Sequence, residues 1–103
     1  MQQLEPVFAA KRTLTDLDTQ IKAKQTEIAT ITEDQKRLRE NMSALKGSAE
    51  ERALTTRYTN ELNQQEDRLA TLHKDLDTLN QQHQTATEDL SNKIQSLNVD
   101  ANL

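Results

Sequence analysis

Apolar residues recur through this chain at alternating steps of three and four. Taking Leu14 as an a position, the a series reads Val7, Leu14, Ile21, Ile28, Gln35, Met42. The d series reads Ala10, Leu17, Lys24, Ile31, Leu38, Leu45, so Lys24 and Gln35 are the only polar members. A second frame begins later. Its a series is Thr55, Leu62, Leu69, Leu76, His83, Leu90, Leu97, and its d series is Tyr58, Gln65, Leu72, Leu79, Ala86, Lys93. Such a stripe is narrower than the apolar face of a globular helix and has the width of a coiled-coil seam. The two frames do not join by the three- or four-residue insertion that a stammer or stutter would supply.

The break lies at Leu45-Lys46-Gly47-Ser48-Ala49-Glu50-Glu51. Gly47 is the only glycine and suits a left-handed residue ending a helix. Lys46 suits a helix C-terminus. Ser48 and Glu51 have the spacing of a capping box, and Glu50 adds negative charge to a first turn. Pro6 fits the first turn of the leading helix. The expected fold is therefore all-α: an antiparallel two-helix coiled-coil hairpin turning at Gly47-Ser48. The helices are expected over about 6–46 and about 49–97, with a frayed tail at 98–103. One continuous helix in a parallel dimer is the alternative.

Antiparallel pairing sets an a residue against a d residue, so paired numbers have a constant sum, either 100 or 93. The first register opposes Leu38 to Leu62, Ile31 to Leu69, Ile28 to Leu72, Ile21 to Leu79 and Met42 to Tyr58. It also brings Gln35 to Gln65, so that each buried amide meets an amide. The second sets Ile28 against Gln65 and Gln35 against Tyr58, and closes the loop more tightly. The first is preferred, because a matched polar layer is a register device.

Composition narrows the function classes. The chain has 103 residues, 33% hydrophobic and 29% charged, with no Cys or Trp, one Phe and one Tyr. That inventory builds neither a β-sandwich nor the thick core of a compact enzyme. Without Cys there is no disulfide scaffold or thiolate metal site. The mean hydropathy is −0.92, and no apolar run approaches the length of a membrane span. A net charge of −4 argues against a nucleic-acid partner, because phosphate binding wants a basic face.

Candidate chemistry is sparse. His73 and His83 are ten residues apart with no third ligand at helical spacing, so no metal is expected. His83 reads as a polar seam residue and His73 as a solvated flank. Carboxylates abound, but acid–base work needs a pocket that shifts their pKa, and there is no phosphate-cradling or nucleophile motif. The densest charged stretch is Glu33 to Asn41, where Glu33–Arg37 and Lys36–Glu40 have i, i+4 spacing. Facing it are Arg57, Tyr58, Glu61 and Glu66. The residues singled out for interaction or register are Gln35, Arg37, Arg39, Asn41, Arg57, Tyr58, Gln65 and Glu66.

The pattern Asp34-Gln35-x-Arg37-Leu38-Arg39-x-Asn41, then Arg57-Tyr58, then Gln65-Glu66 resembles the C-terminal helical hairpin of a bacterial family of larger proteins, a domain of unknown function with an upstream β-rich domain. The resemblance covers roughly residues 28 to 80. It implies a fragment of a longer, exported protein, and it implies no activity.

Taken together, the chain reads as a non-enzymatic structural or protein-interaction module without cofactor, metal or small-molecule substrate. It would space, dock or oligomerise a larger protein, and pairing of two hairpins into a four-helix bundle would thicken its core. A rival reading is a holdase-like arm gripping non-native chains at an open end bearing Leu4, Val7, Phe8, Leu90, Ile94 and Leu97. Lys36, Arg37, Arg39, Arg52 and Arg57 are the side chains a nucleic-acid reading would use. The cytoplasm is the default compartment, with export following if a leader precedes the chain in its parent.

Overall fold

The computed structural model describes residues 4–102, with side-chain environments through Val99. It contains two helices, α1 (Leu4–Ser43) and α2 (Ala49–Asn102), arranged as the expected hairpin. Every a and d position of both frames is buried or half-buried. The side chains that lie outside those positions and the cap, yet are still half-buried, are all carboxylates: Glu27, Asp34, Glu61 and Asp75. A single stripe per helix is thus the whole core, as a heptad repeat dictates. Leu38 and Leu72 are fully enclosed.

Contacts group the chain into two units. One comprises Lys24–Asp75 and the other Met1–Ala23 with Leu76–Leu103. In the first, cross-helix bonds join Gln35 to Glu66, Asp34 to Gln65 and Lys24 to Asp75. In the second, Asp18 meets His83. All four pairs lie within one residue of a constant sum of 100, and the longer arginine side chains reach five residues to either side of it, Arg68 to Glu27 and Arg39 to Glu66; together they bracket the register that opposes Leu38 to Leu62 and Ile28 to Leu72.

The boundaries differ from the sequence reading at three places. α1 stops at Ser43 and not near 46, because its last turn tightens. Ala44 N donates to Asn41 O at 3.3 Å and Leu45 N to Met42 O at 3.1 Å, both three residues back. The turn is therefore the five-residue link 44–48 and not Gly47-Ser48 alone. Gly47 does take positive φ, +89°, but within this link and not directly after the helix. Helix also begins at Leu4, and α2 continues to Asn102 where a frayed tail was expected. No Gly or Pro interrupts that tail, so backbone bonds propagate without a seam.

The register and the link explain each other. Ser43, the last residue of α1, lies level with Arg57, so Ala49–Thr56 run on past the end of α1. Five extended residues climb about 16 Å, and eight helical ones about 12 Å. The link can therefore lie alongside the first two turns of α2, with Leu45 half-buried. Tight closure, the one advantage of the other register, is not needed.

Glu51 secures the link. Its Oε2 accepts from Lys46 N at 2.8 Å and its Oε1 from Ser48 N at 3.2 Å, while Glu51 N donates to Ser48 Oγ at 3.1 Å. This is the capping box read from the sequence, extended by one further amide. The Lys46 amide, followed by Ser48, holds the Glu51 carboxyl below its ordinary range.

Candidate functional site: a crossed amide–carboxylate layer

The polar seam layer is built differently from the facing amides expected. Gln35, 4% exposed, donates from Nε2 to Glu66 Oε1 at 2.9 Å. Gln65 donates from Nε2 to Asp34 Oδ2 at 2.6 Å. Each amide thus bypasses the opposite amide and bonds the carboxylate next to it. The cause is strength: a hydrogen bond to an ionised acceptor is roughly twice as strong as a neutral one. The motif is Asp-Gln on one helix and Gln-Glu on the other, so antiparallel pairing makes the exchange reciprocal.

Arginines from α1 complete both sides. Arg37 Nε and Nη2 each lie 2.9 Å from Asp34 Oδ1, so Arg37 is engaged three residues back and not by Glu33. Arg39 Nη2 lies 3.8 Å from Glu66 Oε1. The Arg37 guanidinium, and then the Gln65 amide, hold Asp34 below the usual carboxylate range, and Asp34 in turn raises Arg37. One atom gains nothing from this arrangement. Gln65 Oε1 is buried and has no hydrogen-bond partner.

Other predicted residues lie around the layer. Arg57 Nε is 3.9 Å from Glu61 Oε1, one turn along α2. Tyr58 is half-buried at its d position, as seam packing requires. Asn41 stands apart: its side chain is exposed, and its carbonyl accepts from Ala44 N. Asp34 and Glu61 belong to the group and were absent from the predicted set. The signal for both was their g position, which flanks the seam. Beyond the layer, Arg68 forks onto Glu27 at 2.6 and 2.9 Å, which lowers Glu27 and raises Arg68.

No enclosed pocket accompanies these residues. The space beside Asp34, Arg37 and Gln65 is a shallow open groove floored by Ala29 and Ile31, so nothing there excludes water from a reacting group. His83 Nε2 is 2.8 Å from Asp18 Oδ1 and His73 is exposed. Among the described residues no cluster of three or more potential ligands could hold a metal, and no helix is long and apolar enough to cross a membrane.

Comparison with family models, curated proteins and solved structures finds no match. The layer's chemistry is that of positioning: it can fix how two helices align.

Proposed function

We propose that the chain is a non-enzymatic structural or protein-interaction module, a helical hairpin that spaces, docks or oligomerises a larger protein. The observation that carries this reading is where the chemically capable side chains are spent. Asp34, Gln35, Gln65 and Glu66 pair across the helices, Arg68 pairs with Glu27, and Glu51 is committed to the link. Arg37, Arg39 and Arg57 each lie within 4 Å of a carboxylate, which supports a protein partner over a nucleic acid. Self-association is the expected mode, since one stripe per helix leaves a thin core. Sedimentation equilibrium over a range of concentrations tests it. A dimer or tetramer supports an oligomerising module, whereas a monomer at all concentrations removes that role and leaves spacing or docking.

Of the residues expected at the open end, Val7 is buried and Leu90 and Leu97 are half-buried; a second reading, a holdase-like arm, draws on the remaining Leu4, Phe8 and Ile94, with Val99. All are exposed and all belong to the unit formed by the chain's two ends. A dye that fluoresces on apolar surface, together with suppression of aggregation of a denatured client protein, tests the arm. Failure in both removes it.

A further inference from the structure

The two registers that the heptads allow are not equally good along the hairpin. In the unit Lys24–Asp75 the observed register wins clearly. It sets Leu38 on Leu62 and Ile31 on Leu69, and it assembles the crossed layer. The shifted register would oppose Leu38 to Thr55 and strand Gln65 against Ile28. In the unit made of the chain's two ends the balance reverses. The observed register sets Leu14 against Ala86, Leu17 against His83 and Val7 against Lys93. The shifted one would set Leu14 on Leu79, Leu17 on Leu76 and Val7 on Ala86, which are better matched layers, in exchange for the Ala10–Leu90 layer, which becomes Ala10 against His83.

Three further features fit a chain poised between two alignments. The layer leaves Gln65 Oε1 without a hydrogen-bond partner, so the lock is weaker than a fully satisfied layer would be. The link 44–48 includes a glycine at φ +89°, a residue that takes either sign of φ at little cost when a link re-forms. The shifted register would also close with a shorter, more symmetric link.

We propose that the hairpin is a two-register device, in which the Asp34–Gln35/Gln65–Glu66 layer locks the observed alignment against one a heptad away that the seam of the end unit favours. The inference deepens the reading of the chain as an interaction module by giving it a sliding motion to transmit. The slide is about 10 Å along the helix axis, seven residues at 1.5 Å each.

The experiment moves the lock. The chain has no cysteine, so spin labels can be placed without background. Thr30 and Thr71 are exposed, bond only their own helix and lie level in the observed register. Thr30 and Gln64 would lie level in the shifted one. The quadruple variant Tyr58→Gln/Thr59→Glu/Gln65→Leu/Glu66→Thr transplants the amide–carboxylate pair by one heptad, so that Gln35 and Asp34 find it only after the slide. Electron spin resonance distances should then lengthen for 30/71 and shorten for 30/64. That opposite pair of signs separates sliding from unfolding, which would broaden both. Retention of both original distances in a helical variant overturns the proposal. The double variant Gln35→Ala/Gln65→Ala removes the lock without setting two leucines opposite each other, and keeps the test decisive if the quadruple variant does not fold. It should give two distance populations, and a single original population overturns the lock. Failure of the sedimentation test would leave these distances unaffected, so the two readings fail independently.

Discussion

Gln35 and Gln65 occupy equivalent places in the two heptads, yet their replacement by leucine should have unequal effects. Gln65 carries a buried carbonyl oxygen with no partner, and such an orphan costs about 1–3 kcal/mol. Leucine removes that cost and adds apolar burial worth about 1 kcal/mol at a half-buried site. The bond surrendered runs to Asp34, which keeps Arg37 and access to water. Against these gains stands the loss of a hydrogen bond to an ionised acceptor, worth about 1.5–3 kcal/mol, so Gln65→Leu should stabilise the hairpin by up to about 1 kcal/mol. Gln35 has no such orphan. Its replacement exchanges a satisfied amide for an apolar group opposite an amide that is still unsatisfied, and the net change should lie within about 0.5–1 kcal/mol of zero. Urea denaturation followed by circular dichroism measures both, at one protein concentration, because any association would shift the midpoints. For a chain of this size the Gln65→Leu gain corresponds to a melting temperature higher by roughly 4–8 °C per kcal/mol. A lowered midpoint for Gln65→Leu, or equal shifts for the two variants, would refute the account of the layer.

Other expectations follow from the core, the link and the acids. Leu38→Ala and Leu72→Ala, each emptying a fully enclosed site, should cost about 2–5 kcal/mol, whereas Leu54→Ala at a 38% exposed position should cost far less; equal midpoints in thermal melts would contradict this. Ser48→Ala should cost about 1 kcal/mol through loss of the cap, and Gly47→Ala about 1–2 kcal/mol through its positive φ alone, since nothing crowds the position. Hydrogen exchange at the Lys46 and Ser48 amides should quicken in Glu51→Gln and leave that of Leu38 unchanged. Glu51, Asp34 and Glu27 all have carboxyls held below their ordinary values of 4.5, 3.8 and 4.5. Their stabilisation is therefore complete above those values and is lost as the pH falls through the lowered folded-state pKa values. A urea midpoint that rises on acidification below about pH 4 would reverse that sign.

The sequence by itself determined the helices, the seam and the cap. A heptad repeat reports which face is buried regardless of the partner's alignment, which is why every a and d position came out buried or half-buried. The Ser48–Glu51 box was equally legible, because its donors and acceptors lie within one turn of chain. Where helices stop was less so. The end of α1 at Ser43 depends on carbonyls shared three residues back, and α2 continues through a tail that has no seam to announce it. Only the paired structure decided what the polar layer does. Equivalent amides at Gln35 and Gln65 suggest that they bond each other, but the reach of each side chain brings it to the carboxylate beside its opposite number, and an ionised acceptor outcompetes a neutral one. The orphaned oxygen of Gln65 is a property of that three-dimensional competition, and no pattern of residues along one helix records it.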